Sequence, residues 1–212
     1  MLDNHDPAEP ELSPVTRQKL MGFIDEMKHE ISHITDALDH KQCCILKEFE
    51  QIQGIFGNFQ STAASYYLKF YLAPYTDCYP TLSTALQHMS ERNHGALIVI
   101  QRDDLLDDLI QPGTRVGATL TFPLLESIFY PGGPLHDGAV IIQENMIVSA
   151  GNVLPLTHSI VGDRKLGTRH RAALGLSELS DALILVVSEE TGRTSFALGG
   201  KLFPISPTGF LQ

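Results

Sequence analysis

The sequence predicts an α/β fold: a mixed central β-sheet surrounded by helices, preceded by an N-terminal helical hairpin. Three observations predict it. The hydrophobic period is helical over residues 13–72 and becomes mixed strand and helix over residues 95–203. Short, branched, wholly apolar runs, Ala96-Leu97-Ile98-Val99-Ile100 and Ala182-Leu183-Ile184-Leu185-Val186-Val187, have the composition of strands buried on both faces. At 212 residues, 43% of them hydrophobic and 19% charged, the chain can build a real core; it is longer than one ordinary domain and short for two.

The helical part starts at Ser13-Pro14, a capping hydroxyl followed by a proline whose missing N–H costs nothing in a first turn. Leu20, Ile24, Met27, Ile31, Ile34 and Leu38 alternate spacings of four and three, forming one stripe with charged residues opposite. At Lys41 the stripe loses phase, then resumes as Ile45, Phe49, Ile52, Phe56 and Phe59. Two helices folded against each other are therefore expected, with the break at residues 39–43. Such stripes ordinarily form the hairpin's own core; docking on another subunit or on the rest of the chain is the alternative, and both can hold. Further helices are expected over residues 62–71, stopped by Pro74, and over residues 82–92. The division of the chain is placed at residue 60, giving regions 1–60 and 61–212.

In the second region, Gly138-Ala139-Val140-Ile141-Ile142 and Met146-Ile147-Val148-Ser149-Ala150 flank Gln143-Glu144-Asn145 as a hairpin. Residues 169–179 form a helix feeding the apolar run at 182–187. Thr194-Ser195-Phe196-Ala197-Leu198 follows as an outer strand, with Gly199-Gly200 turning toward Leu202.

Composition excludes several classes. A net charge of −10 argues against a general nucleic-acid binder, which needs a basic patch to displace counterions. No apolar run reaches the roughly 18 residues of a membrane span, and the polar, acidic start of the chain has no secretory apolar region. Three cysteines, two adjacent at Cys43 and Cys44, make neither a disulfide framework nor a zinc pattern. A cytoplasmic location is expected.

Two segments carry chemistry. Pro134-Leu135-His136-Asp137-Gly138-Ala139 sets an acid and an imidazole just before an apolar strand, after the flexible Pro131-Gly132-Gly133. Asp137 can accept a proton, bind a metal or cap a turn, and Asp-Gly is foremost a turn signal. Gly167-Thr168-Arg169-His170-Arg171 sets two arginines and a histidine at a helix start, where free N–H groups and guanidinium forks suit phosphate oxygens. A solvated basic face is the plainer alternative. Gly151-Asn152-Val153-Leu154-Pro155-Leu156 is either an ordinary loop under the core or a wall for a flat base. Val187-Ser188-Glu189-Glu190 ends a buried strand with a hydroxyl and two carboxylates, of which Glu189 can hold a cation or simply pair with a neighbour. His29, His33 and His40 show no metal-ligand arrangement, and Walker, dinucleotide and nucleophile-elbow patterns are absent.

Taken together, Leu135-His136-Asp137-Gly138-Ala139, Gly167-Thr168-Arg169-His170-Arg171-Ala172-Ala173 and Val187-Ser188-Glu189-Glu190-Thr191-Gly192 resemble, in order and spacing, the signatures of the diadenylate cyclase family. The resemblance covers residues 81–203. It implies that two ATP molecules are condensed into cyclic di-AMP, each 3′-hydroxyl attacking the other's α-phosphate with loss of pyrophosphate. By resemblance, Asp137, Gly138 and Ala139 sit at the 3′-hydroxyl; Gly167, Thr168, Arg169, His170, Arg171 and Ser188 bind ATP and its phosphates; and Leu154 borders the adenine. Asp137, His136 and Glu189 would serve a divalent cation, Mn²⁺ or Mg²⁺. The family holds one ATP per subunit, so two subunits must meet face to face. The helical leader resembles that of the soluble, sporulation-associated cyclases of Bacillus-type bacteria, which implies that residues 1–60 restrain activity by governing assembly, up to a hexamer. Competing readings are a silent nucleotide sensor, an assembly protein, and a nucleotidyl hydrolase that releases AMP.

Overall fold

The computed structural model describes residues 12–39, 45–157 and 166–205 and divides into two compact units, Met1–Phe70 and Tyr71–Gln212. The expected break at residues 39–43, Cys43 and Cys44 lie almost wholly outside the described residues.

In the first unit, α1 (Pro14–Asp39) begins at the expected cap. The Ser13 hydroxyl accepts from the Thr16 N–H at 3.2 Å. Of its apolar stripe, Leu20 and Ile34 are buried, whereas Ile31 and Leu38 are 54% and 59% exposed. Gln51 on the following helix donates to Glu30 at 2.8 Å, tying the pair together. That second helix, α2, runs unbroken over Ile45–Leu72 and absorbs the separate helix expected at residues 62–71. Ser61, Thr62, Ala63 and Ala64 interrupt the large-apolar stripe, yet the helix continues through them, helped by the two alanines, the best helix formers. The helix closes only where Tyr75 and Thr76 donate back to the Leu72 carbonyl, beside Pro74.

The second unit is built on a seven-stranded mixed sheet: β1 (Ala96–Ile100), β2 (Thr114–Thr119), β3 (Ala139–Gln143), β4 (Met146–Asn152), β5 (Leu183–Val187), β6 (Thr194–Leu198) and β7 (Lys201–Ile205). Their order is β2-β4-β3-β1-β5-β6-β7, with β1 and β3 parallel and every other pair antiparallel. The two wholly apolar runs read as central strands, β1 and β5, lie side by side and are fully buried.

Successive residues of a strand point to opposite faces, so each of these strands feeds two cores. Leu97 and Val99 of β1, with Ile184 and Val186 of β5, pack against Ala172, Ala173 and Leu176 of α5 (Thr168–Leu179). Ile98, Ile100, Leu185 and Val187 have the opposite parity and are equally buried. The helix α3 (Tyr79–Glu91), which buries Leu82, Ala85, Leu86 and Met89, packs on α4 (Phe122–Ile128) and on β5.

The sequence reading lacked α4, β2 and β7. The seven-residue α4 is too short to show a period, and is set by the Thr121 hydroxyl accepting from the Leu124 N–H and by a proline in its first turn. Strand β2 is a largely exposed edge with a register shift between Arg115 and Ala118, so it shows no apolar alternation.

Candidate active site

Topology brings the two chemical segments to one end of the sheet. Strands β1 and β3 are parallel, so both start at this end; β4 and β5 run antiparallel to them and finish there. Asp137 and Gly138 immediately precede β3, Ser188 and Glu189 follow β5, and Leu154 lies just beyond β4. Gly95 precedes β1, and the first turn of α5 joins the group through Arg169.

Arg169 is the centre of the constellation. Its Nη1 donates to Glu189 Oε2 at 2.7 Å, which draws the Glu189 carboxyl below the usual carboxylate range; a weaker pull from His136 acts in the same direction. The guanidinium lies over Gly95, where a Cβ would overlap Nη1 and stand 2.8 Å from Cζ. Only a residue without a side chain leaves that space. Arg169 Nε is buried without a partner, and the side chain is 22% exposed, so a further acceptor meets the terminal nitrogens of the fork.

The cap of α5 is Gly167, which supplies no side-chain acceptor. The first intrahelical bond is Arg171 N–H to Gly167 at 3.1 Å, so the amides of Thr168, Arg169 and His170 are those a helix start leaves free for an anion. Burial holds the His170 imidazole below its ordinary value, against an opposing pull from Glu190. At neutral pH it is an uncharged ring that can donate or accept. Arg171 is exposed; its Nη2 reaches the Thr157 carbonyl at 3.5 Å, while the backbone closes through Thr157 N–H to Arg171 at 3.0 Å.

Asp137 is exposed at the rim, and Gly138 beside it has φ +109°, a conformation side chains rarely adopt. The His136 Nδ1 contacts the Gly133 carbonyl, which orients the ring and leaves Nε2 outside this contact. The Ser188 hydroxyl accepts from the Thr191 N–H at 3.3 Å, so it also holds the turn after β5. Leu154 is 5% exposed, and its side chain belongs to the core formed with Ala172, Ala173 and Leu176.

Among the described residues, no group of three or more His, Cys, Asp and Glu stands ready to hold a metal. A hard divalent cation that arrives on nucleotide phosphates needs only one or two protein carboxylates. The exposed Asp137 and the 61% exposed Glu189 fit that donor set.

Two residues that shape this end of the sheet escaped the sequence reading in these roles. They are Gly95, which makes room for Arg169, and Asn152, which is 1% exposed and bonds to Ala139, Gly113 and Ser149. Except for Ser149, their partners lie 13 or more residues away, so the only local signal was a polar amide at the end of an apolar strand.

An open mixed sheet gathers arginines, a helix start and carboxylates at one end, the kinds of group that meet phosphates in nucleotide-binding α/β domains. The family model for DAC, described as DisA bacterial checkpoint controller nucleotide-binding, matches residues 83–202, and a second, diadenylate cyclase CdaS N-terminal, matches residues 10–75. The chain belongs to the diadenylate cyclase family and carries the N-terminal module of its CdaS group. It is 57% identical to diadenylate cyclase CdaS of Bacillus thuringiensis, over 92% of this chain and 97% of that one. With cyclic di-AMP synthase CdaS of Bacillus subtilis it is 48% identical, over 89% and 91% of the two chains. Among solved structures, it resembles a Bacillus cereus protein described as a hypothetical membrane-spanning protein, with a TM-score of 0.76 and 56% identity over 90% of this chain and 94% of that one. A double mutant of DacA from Staphylococcus aureus matches with a TM-score of 0.59 and 45% identity, covering 62% of this chain and 89% of that one. Among the described residues, no helix is long and apolar enough to cross a membrane.

Proposed function

We propose that this enzyme is a diadenylate cyclase that joins two ATP molecules into cyclic di-AMP across an interface between two subunits. The observation that carries the reading is the convergence of Asp137, Arg169 and Glu189 with the open start of α5 at one end of the sheet. The chain is also highly similar to relatives named for this activity.

In the reaction, the 3′-oxygen of one ribose bonds to the α-phosphorus of the other ATP as the bond from that phosphorus to the bridging oxygen breaks. Pyrophosphate leaves with the bond electrons, and the 3′-hydroxyl proton passes to Asp137. Repeating the step in the opposite sense closes the ring. Thr168, Arg169, His170 and Arg171 hold the phosphates, and Arg169 partly exchanges its Glu189 partner for phosphate oxygens. Ser188 keeps the turn after β5 in register, and the backbone beside Leu154 borders the base. A Mn²⁺ or Mg²⁺ ion held by Asp137 and Glu189, with His136 beside them, would neutralise charge on the phosphates. Most of the acceleration in such a site comes from positioning and electrostatics.

One ATP per subunit requires two such faces to meet, so assembly is part of the mechanism. Residues 61–212 carry catalysis, and residues 1–60 restrain it by governing assembly, up to a hexamer. Exposed apolar side chains on the helices, Ile31, Leu38, Leu46, Phe49 and Phe56, support docking of these helices on other subunits. The enzyme works in the cytoplasm.

The test is incubation of the purified full chain with ATP and Mn²⁺, with products identified by mass and Asp137→Asn run in parallel. Cyclic di-AMP from the wild type alone supports the reading. AMP as the product marks a hydrolase, and bound, unchanged ATP marks a sensor.

A further inference from the structure

At the end of β4 a carboxamide lies where the strand's neighbours are apolar. Asn152 is 1% exposed, with Ala139 fully buried on one side and Leu154 buried two residues on. An amide is costly to bury unless its hydrogen bonds are made. Here Oδ1 accepts from the Gly113 N–H at 2.8 Å and from the Ser149 hydroxyl at 3.0 Å, while Nδ2 donates to the Ala139 carbonyl at 2.8 Å. The partners fix the orientation: a flipped amide would set its NH₂ against the Gly113 N–H and its oxygen against the Ala139 carbonyl. One side chain thus ties together the lead into β2, the body of β4 and the first residue of β3.

The tie falls beside an irregularity in the sheet ladder. Ala139 pairs with Asn152, but the β3–β4 register shifts between Ala139 and Ile141. Asp137 stands two residues before that carbonyl, joined to it through Gly138, which is at φ +109° with no room for a Cβ against the backbone of Gly151 and Asn152. Through Gly138, packed closely against the backbone of Gly151 and Asn152, a shift of the Ala139 carbonyl is passed on to Asp137.

We propose that Asn152 is a positioning residue, holding the Ala139 carbonyl so that the Asp137 carboxylate meets the ribose 3′-hydroxyl in reactive geometry. The proposal rests on the reading of Asp137 given above. Asn152 does not touch the nucleotide. Its loss therefore affects the chemical step and leaves phosphate capture by the first turn of α5 in place, and small misplacements of a reacting group cost about 10²-fold in rate.

The test uses the full chain and two substitutions. Asn152→Asp keeps the acceptor facing Gly113 and Ser149 but replaces the donor to Ala139 with an oxygen. Asn152→Ser, smaller and uncharged, serves if a buried carboxylate prevents folding. For each, kcat for cyclic di-AMP formation with Mn²⁺ is measured beside the Kd for 3′-deoxy-ATP, which lacks the attacking hydroxyl. The expected result is a fall in kcat of at least about tenfold, in line with that sensitivity, with the analogue's Kd within about twofold of wild type. Unchanged kcat, or a Kd that worsens in proportion to the loss of kcat, would overturn the positioning role. Asp137→Asn separates the two readings. If it still cyclises ATP, the assignment of the acid has failed; if it is inactive while Asn152→Asp runs at full rate, only the positioning role has failed.

Discussion

Arg169 acquires its geometry from a residue that carries no chemistry. Its guanidinium occupies the space a Cβ would need at Gly95, with the Glu189 Cβ only 3.0 Å from that same point. Gly95→Ala should therefore displace the arginine and break its 2.7 Å pair with Glu189. We expect ATP affinity to fall by about tenfold, equivalent to ~1.4 kcal/mol, read by titration with 3′-deoxy-ATP. Because Gly95 precedes β1 and the clash is with a flexible side chain, thermal unfolding should move little. Unchanged affinity would show that the Arg169 position is unimportant for binding. At this scale the charged candidates were legible, since arginines at a helix start and an acid before a strand announce themselves by type. Gly95 and Asn152 were not, because their meaning lies in what the register places opposite them.

Between elements, Glu126 of α4 joins to α3. Its carboxylate accepts from Arg92 at 2.8 Å and pairs with His88 at 2.7 Å. Burial pushes the Glu126 carboxyl up, but the hydrogen bonds from His88 and Arg92 outweigh it, so the group is held below its ordinary value of 4.5. A carboxyl with a depressed folded value binds fewer protons folded than unfolded, so its contribution is complete above 4.5 and is lost as the pH falls through the folded value. Glu126→Gln should cost about 1–2 kcal/mol at neutral pH, a fall in Tm of roughly 2–8 °C, and the difference from wild type should close as the pH falls through the lowered Glu126 value. A gap that persists undiminished at acid pH would mean that the charge is not what links the helices. The pair was invisible in the sequence because α4 itself was, being one short helix in which seven residues show no period.

For the molecule as a whole, the candidate site lies entirely within residues 71–212, whereas the N-terminal family match covers residues 10–75. The DAC family match, residues 83–202, lies wholly within the second unit. Removing residues 1–70 should leave a folded unit that still binds ATP, while turnover rises by at least about threefold and the oligomer measured by light scattering changes size. If both turnover and oligomer size stay the same, the helices do not govern assembly. The exposed Ile31, Leu38, Phe49 and Phe56 make the same point at a distance. Changing two of them to serine should shift the oligomer distribution without unfolding the chain, since exposed apolar groups contribute little to the fold they leave uncovered.

The amino-acid order alone determined the helical leader, the buried central strands, the β3–β4 hairpin and the residue types suited to phosphate. Each of these depends on neighbours within a few positions: apolar period, turn chemistry, charge at a helix start. Tertiary structure decided which ends of the strands meet. It placed β1 parallel to β3 and antiparallel to β5, and so brought Asp137 and Glu189, with Arg169 paired to Glu189, to one end of the sheet across more than 50 residues of chain. It also gave Gly95 and Asn152 their roles. These outcomes are set by strand register and by burial against distant segments, terms that no local window of the sequence contains.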